Sequence, residues 1–202
     1  MDSILVTGNG PLSGKISIAG AKNACLALMP VTLLTDEPVT LTNAPILSDI
    51  KTADALLSSL GTEVTFLNGG KVLVMSSHNL NSSHADYDIV RKMRASNLVL
   101  GPLLARFGKG YIPKPGGDKI GRRRLDTHFE GLKLLGADFN YNRQDYFYNV
   151  TANKLTGVNI LLEEASVTGT ANILMAAVLA SGKTTIYNAA VSYTHLTLPT
   201  KA

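Results

Sequence analysis

An internal repeat constrains the fold of this chain more than any other feature of its sequence. Three asparagines, Asn23, Asn97 and Asn172, lie at nearly equal intervals, each near the start of an apolar segment. Two predicted helix ends, at 60–61 and 135–136, are separated by the same interval as Asn97 and Asn172. A shared period of this kind indicates one supersecondary unit that is used three times.

Each unit reads as strands and helices in the order βαβαββ. In the first unit we predict strands at 4–7, 15–19 and 39–41, helices at 21–34 and 50–60, and hairpin strands at 63–67 and 71–75. In the second we predict helix 90–106, strand 111–112, helix 126–135 and strands 138–142 and 146–151. The third opens with strand 158–162, helix 169–180 and strand 184–187. We expect Pro30 to kink the first helix, Ser48 and Asp49 to cap the second, and Gly61 and Gly136 to end helices.

The hydrophobic patterns of helices and strands predict how the units pack. The repeat-opening helices are apolar on most faces and must be buried, whereas the strands alternate and need cover on one face only. The sequence therefore predicts an inside-out α/β domain with buried helices and outer sheets.

Composition narrows the class of protein. With 202 residues, 45% of them apolar, the chain can form a real core, and its net charge of +4 favours anionic ligands without requiring nucleic acid. The single cysteine, Cys25, excludes a disulfide framework and a cysteine metal cluster. No apolar run reaches the roughly 18 residues that span a bilayer, and the N-terminus lacks signal-peptide features, so we expect a cytoplasmic protein without membrane contact.

A glycine-rich basic loop at 115–126 is the strongest candidate for a functional site. It contains three glycines and three consecutive arginines, Arg122, Arg123 and Arg124, and it leads into the predicted helix at Asp126. Backbone N–H groups at a helix start and guanidinium groups both bind phosphate oxygens. Asp118 stands among these cations. Taken alone, the loop fits a solvated basic turn equally well.

Other motifs favour no competing chemistry. Gly182-Lys183-Thr184 lacks the glycine five places earlier that a nucleotide-binding P-loop needs. The histidines His78, His84 and His128 lack metal-ligand spacing, so we expect surface or supporting roles for them. A basic nucleic-acid-binding module remains an alternative, although the tyrosines fall in predicted strands rather than around the basic loop.

Four segments, in order and spacing, resemble those of the UDP-N-acetylglucosamine 1-carboxyvinyltransferases, a family of enolpyruvyl transferases. They are Gly20-Ala21-Lys22-Asn23, Met93-Arg94-Ala95-Ser96, the loop 115–126 and Ser166-Val167-Thr168-Gly169-Thr170. The resemblance covers about residues 3–190 and only the first half of the family's pattern. It implies the inside-out α/β fold, in which each of two domains contains three repeats.

The resemblance also implies an activity. The family transfers enolpyruvyl from phosphoenolpyruvate to the 3-hydroxyl of UDP-N-acetylglucosamine and releases phosphate, the first committed step of peptidoglycan precursor synthesis. It implies no cofactor and no metal. The sister 3-phosphoshikimate 1-carboxyvinyltransferase, whose motifs fit less well, is the alternative within enzymes.

The resemblance assigns roles to individual residues. Lys22 and Asn23 match positions that hold phosphoenolpyruvate, and Arg94 matches a substrate-binding arginine. The two nucleotide-sugar segments correspond to Arg123, Arg124, Leu125, Asp126 and Thr127, and to Glu164, Ala165, Ser166 and Val167. Many members have proline where Arg124 stands and lysine where Glu164 stands, so we expect altered contacts with uridine.

Asp118 stands where many members carry a cysteine that serves as general acid. A free aspartate has a pKa near 3.9, so only about one in a thousand would carry a proton at pH 7. We therefore expect its pKa to rise in the ternary complex, where bound phosphates and burial disfavour the carboxylate. Lacking this thiol, the enzyme should resist fosfomycin, an epoxide that alkylates cysteine.

The resemblance also suggests boundaries. We expect 1–20 to belong with a second, C-terminal domain that this chain lacks, and 21–190 to form the first domain with a truncated third unit. Residues 191–202 match neither the repeat nor the family, and we expect a non-native tail. A chain of this extent would have half a cleft and little or no activity alone.

Overall fold

The computed structural model describes residues 3–117 and 124–190, and it confirms an α/β fold built from repeated units. The first unit contains α1 (Lys22–Leu28), a 3-10 helix (Met29–Leu34), β1 (Val39–Thr42), α2 (Ser48–Leu60), β2 (Glu63–Leu67), a 3-10 turn (Asn68–Gly70) and β3 (Val72–Ser76). The second contains α3 (Tyr87–Val90), a 3-10 helix (Arg94–Val99), α4 (Leu100–Phe107), β4 (Lys109–Pro113), α5 (Asp126–Leu134), β5 (Asp138–Asn142) and β6 (Phe147–Thr151). The third contains β7 (Asn159–Leu161), α6 (Val167–Val178) and β8 (Thr185–Tyr187). The expected tail, 191–202, lies outside the described residues.

The sheets repeat the same topology. Strands β1, β3 and β2 form one antiparallel sheet in the order β1-β3-β2, and strands β4, β6 and β5 form another in the order β4-β6-β5. Strands β7 and β8 pair in parallel, and the parallel bridge from His84 to Tyr111 occupies the corresponding place in the second unit. The repeat inferred from sequence spacing is therefore a repeat of strand pairing.

The apolar helices lie in the core, as their sequences predict. Leu100, Leu103 and Leu104 of α4 are at most 1% exposed. The sheet β1-β3-β2 contributes Leu73 and Met75, alternate residues that face inward from β3. Helix α6 departs from the expectation because it exposes side chains on one side, and no described element covers that side. They include Leu174 at 55% and Val178 at 61%.

The predicted helix 90–106 is wrong as a continuous element. It is divided into α3, the 3-10 helix Arg94–Val99 and α4, with an extended break at Met93, whose φ is −143°. The glycine loop packs against this break: Gly116 N–H donates to the Val90 carbonyl at 3.3 Å. Because the Val90 carbonyl accepts this hydrogen bond from the loop, the backbone does not continue as a regular helix through Met93.

Helix ends follow the sequence more closely. Pro30 lies in the first turn of the 3-10 helix, where α1 ends, and Gly61 and Gly136 terminate helices with φ of +103° and +109°. Ser48 was expected to cap α2 from outside, and this is wrong. The N-cap position is Leu47, without a side-chain cap, and Asp49 lies in the first turn.

The strands predicted at 4–7 and 15–19 are also wrong. Residues 3–20 contain neither helix nor strand, because no described strand pairs with them. Their large apolar side chains are 82 to 94% exposed; these are Ile4, Leu5, Val6, Leu12, Ile16 and Ile18. Alternation alone cannot provide the hydrogen-bonding partner that a strand requires.

Two further sequence observations can be compared with the structure. Cys25 is buried, and burial raises the pKa of its thiol. Of the helices that the structure describes, none has the length and apolar character to cross a bilayer.

Candidate functional site

Part of the predicted site lies outside the described residues. Asp118, the candidate general acid, and Arg123, from the first nucleotide-sugar segment, belong to 118–123, which the structure does not describe. The geometry below therefore concerns the residues on either side of this segment and those that surround them.

Gly116 and Gly117 hold the loop against the segment that precedes Arg94. A Cβ atom on Gly116 would lie 1.7 Å from the Arg91 carbonyl oxygen, which leaves no space for a side chain. Gly117 has a φ of +100°, and a Cβ atom there would lie 3.0 Å from the Arg94 nitrogen. Both positions need glycine, one for close approach and the other for its backbone conformation.

Arg94 also contacts Arg124, the residue that directly follows 118–123. It begins the 3-10 helix, and its Nη2 donates to the Arg124 carbonyl oxygen at 2.6 Å. Gly117, which precedes 118–123, therefore lies close to the Arg94 backbone, and Arg124, which follows it, accepts a hydrogen bond from the Arg94 side chain. This is the feature of the structure that bears most directly on the predicted site.

Arg124 and Asp126 form an ion pair at the start of α5. Arg124 Nε donates to Asp126 Oδ2 at 2.5 Å. This hydrogen bond and the charge of Asp126 raise the pKa of the Arg124 guanidinium, which stays charged. Leu125 precedes Asp126 as the N-cap residue of α5.

The two predicted nucleotide-sugar segments lie side by side. Ser166 caps α6, and its Oγ accepts from the Gly169 N–H at 3.1 Å. A Cβ atom on Gly169 would lie 3.0 Å from Thr127 Cγ2, so the starts of α5 and α6 are in contact. Glu164, Ala165 and Val167 are exposed beside Ser166.

Lys22 and Asn23 lie in the first turn of a neighbouring helix. Both are exposed on α1, and Lys22 Nζ lies 2.8 Å from Asp49 Oδ2 of α2. Leu26 of the same helix lines a small cavity with Met93, which places α1 beside the segment that begins at Arg94. An anion bound by Lys22 would have to compete with Asp49.

A buried polar network behind these residues was missed from the sequence. His128, only 2% exposed, lies within hydrogen-bonding distance of three side chains. Its Nδ1 is 2.9 Å from Asn97 Nδ2 and 3.1 Å from Asn172 Nδ2, and its Nε2 is 3.2 Å from Thr168 Oγ1. The signal was present in the regular spacing of Asn97 and Asn172, which indicated equivalent positions but not a shared partner.

The hydrogen bonds of Asn172 assign the tautomer of His128. Asn172 Oδ1 accepts from the Gly101 N–H at 2.7 Å, so the amide nitrogen of Asn172 faces His128. Nδ1 of His128 is therefore an acceptor, and Nε2 carries the proton that it donates to Thr168. Burial, and secondarily the positive charge of Arg94, lower the pKa of His128 to about 4.

A cavity of about 420 Å³ opens beside this region. It lies between α5 and β7, and its walls include Thr127, Glu130, Leu134, Leu161 and Glu163. Thr127, from the first predicted nucleotide-sugar segment, and Glu163, which directly precedes the second, therefore line the same cavity. Lys22, Asn23 and Arg94 do not line it. Among the residues for which side chains are described, no cluster of histidine, cysteine, aspartate or glutamate has metal-site geometry.

Structural comparison defines the class of fold. The chain superposes on the enolpyruvyl transferase NikO from Streptomyces tendae with a TM-score of 0.74 and 16% identity, covering 89% of this chain and 41% of that one. An EPSP synthase from Acinetobacter baumannii gives a TM-score of 0.66 and 18% identity, covering 86% of this chain and 40% of that one. At these identities the similarity shows the fold, which is that of the enolpyruvyl transferases.

Sequence comparison adds the family. The family profile described as EPSP synthase (3-phosphoshikimate 1-carboxyvinyltransferase) matches residues 6–198, and the chain belongs to this family. It is 61% identical over 190 residues to the UDP-N-acetylglucosamine 1-carboxyvinyltransferase of Ruegeria pomeroyi, covering 94% of this chain and 45% of that relative. The enzyme of the same name from Bacteroides fragilis is 48% identical over 194 residues, covering 94% of this chain and 44% of that one. The chain thus spans about half the length of the curated relatives that it matches.

Proposed function

We propose that this chain forms the part of a UDP-N-acetylglucosamine 1-carboxyvinyltransferase that binds the sugar nucleotide and one side of phosphoenolpyruvate. The observation that carries the proposal is that the residues on both sides of 118–123 meet at Arg94: Gly117 lies close to its backbone, and the Arg124 carbonyl accepts from its side chain. The 61% identity to the Ruegeria pomeroyi enzyme supports this substrate pair. The whole reaction additionally needs the part of the relatives that this chain does not span.

The charges of the described residues suit two anionic substrates. Lys22, Arg94 and Arg124 contribute positive charge from three neighbouring segments, and the anions would compete with Asp49 for Lys22 and with Asp126 for Arg124. Helices α5 and α6 both begin at this face, and their N-terminal dipole ends favour phosphate groups. In this proposal Thr127 and 164–167 contact the nucleotide, and Lys22 and Asn23 contact phosphoenolpyruvate.

Asp118 has the role of general acid in this proposal. One proton reaches the methylene carbon of phosphoenolpyruvate while the sugar 3-hydroxyl attacks the neighbouring carbon and loses its own proton. The resulting tetrahedral ketal loses phosphate together with a proton from the same methyl carbon, so the donor's double bond is restored. Asp118 must be protonated at the first step, which a carboxyl group achieves only where its charged form is disfavoured.

Calorimetric titration tests the binding part of this proposal with the chain alone. We expect saturable binding of UDP-N-acetylglucosamine and no saturable binding of shikimate 3-phosphate, the substrate expected if the chain were the sister enzyme. Arg94→Met should weaken binding by about tenfold or more, because a charge-assisted contact contributes about 1.5 to 3 kcal/mol.

The matched control removes a cation elsewhere. Arg143 is exposed at the tip of the β5-β6 hairpin, so Arg143→Met lowers the net charge equally without touching the proposed site. Equal loss of affinity in both variants, or binding of shikimate 3-phosphate alone, would refute the proposal.

A further inference from the structure

We propose that His128 is a positioning residue whose imidazole joins the three segments that carry Arg94, Arg124 and Ser166. It contacts Asn97 in the 3-10 helix that begins at Arg94, and Thr168 and Asn172 in the helix that Ser166 caps. His128 itself lies in α5, two residues after Asp126, the ion-pair partner of Arg124.

The geometry makes His128 the common partner of these elements. Asn172 Nδ2 also donates to the Asn97 carbonyl at 3.1 Å, and Asn172 Oδ1 accepts from Gly101, so Asn172 ties α6 to the second unit. Asn97 Oδ1 is buried and has no hydrogen-bond partner among the described residues. The side chain of Asn97 therefore depends on His128 for its hydrogen bonding. Replacing His128 with an apolar residue would leave the buried amide of Asn97 without a partner.

The network is specific to one protonation state. Two amide nitrogens face Nδ1, which a protonated Nδ1 could not accommodate, and the hydroxyl of Thr168 faces Nε2. Helix α6 carries no ionisable side chain, and Arg94 is the charged group that acts on the imidazole from the facing 3-10 helix. A neutral imidazole also avoids a second positive charge beside Arg94.

This arrangement gives His128 a function that packing alone would not require. An apolar side chain of similar volume could fill the space between α5 and α6. It could not set the distance between Asn97 and Thr168, and hence the relative position of Arg94 and Ser166. The expected effect of His128 variants on sugar-nucleotide binding rests on the proposed function. Their expected effect on the positions of the segments that carry Arg94 and Ser166 does not.

Nitrogen-15 NMR of the imidazole and of the backbone amides tests the proposal on this chain. We expect His128 to be neutral with the proton on Nε2 and to remain so from pH 8 down to about 5. In His128→Leu the amide signals of 94–101 and 166–170 should shift, while His128→Asn, which restores an acceptor near the Nδ1 position, should return those of 94–101 towards the wild type. His78→Leu, at an exposed site, is the control and should shift neither segment.

Ligand binding provides the second readout. UDP-N-acetylglucosamine affinity should fall about tenfold in His128→Leu and recover at least partly in His128→Asn. Thr168→Val, which removes only the Nε2 partner, serves if His128→Leu does not fold, and it should shift 166–170 while leaving most of 94–101 unchanged. Absence of binding in the wild type would refute the proposed function, and the NMR result alone would then decide whether His128 is a positioning residue. A proton on Nδ1, or unchanged amide signals in the His128 and Thr168 variants, would overturn the positioning role.

Discussion

Replacing Gly101 by alanine should destabilise the fold, although alanine normally stabilises a helix. Gly101 lies in α4, where a Cβ atom would be 2.3 Å from the Asn172 backbone carbonyl oxygen and 2.6 Å from Asn172 Oδ1. Because the nearer atom is backbone, α4 and α6 would have to separate. Asn172 Oδ1 also accepts from the Gly101 N–H, so separation weakens a buried hydrogen bond.

The magnitude follows from three contributions. Overpacking costs about 1 to 3 kcal/mol, and weakening the buried hydrogen bond costs about 1 to 2 kcal/mol more. The higher helix propensity of alanine offsets about 1 kcal/mol. We expect a net loss of about 2.5 kcal/mol in the free energy of unfolding, or about 5 to 10 °C in Tm for a chain of this length.

Urea unfolding followed by circular dichroism measures this change. Gly14→Ala is the matched control, because a Cβ atom at Gly14 meets no atom within 4 Å. The control should unfold at the wild-type urea concentration. A Gly101→Ala variant as stable as the wild type would refute the close approach of α4 and α6.

Four further predictions concern other parts of the chain. Lowering the pH from about 6.5 to 4 should reduce the free energy of unfolding by up to about 3 kcal/mol. The reason is that His128 binds a proton in the unfolded chain, whereas its lowered pKa keeps it neutral in the folded chain. In urea titrations, a His128→Asn variant should lose most of this pH dependence. Arg106→Met should cost about 2 kcal/mol in the same assay, since Arg106 donates to the carbonyls of Leu33 and Thr35; an unchanged midpoint would contradict this. Cys25 should resist iodoacetamide at pH 7 in the folded chain and react once unfolded in urea, as mass spectrometry would show, because burial raises its pKa. In a chimera with the C-terminal part of the Ruegeria pomeroyi relative, Asp118→Asn should abolish phosphate release yet keep sugar-nucleotide affinity, and retained turnover would remove Asp118 from the acid role.

The repeat could be predicted from the sequence because its evidence is local. Helix ends such as Gly61 and Gly136 and the hairpin around 68–70 depend on backbone preferences of single residues, and the structure confirms them. Burial of α4 follows from side chains that are apolar on most faces, whereas α6, equally apolar, leaves one side exposed. These features need no knowledge of distant contacts.

The errors arise where distant contacts decide the conformation. The break at Met93 exists because the loop at 116–117, distant in sequence, packs against it. The segment 3–20 alternates like a strand but has no partner among the described residues. Periodicity measures which face could be buried and does not indicate what is available to cover it.

The candidate site also has a part that the sequence predicted and a part that depends on distant contacts. Motif resemblance identified Arg94, Arg124 and Ser166, yet it gave no indication of how the segments that carry them are joined. In the structure these segments are linked through His128 and two asparagines from different repeat units, whose hydrogen bonds form only after the units pack. A lone histidine in a helix carries no local signal of such a role.

Residue-resolved NMR during titration with UDP-N-acetylglucosamine tests the central claim most directly. If the three segments form one binding face, the amide signals of Arg94, Arg124 and Ser166 should shift together with a single dissociation constant, while those of Arg143 and of residues 3–20 stay unchanged. Shifts confined to one of the three segments, or shifts spread over the surface without saturation, would contradict the account.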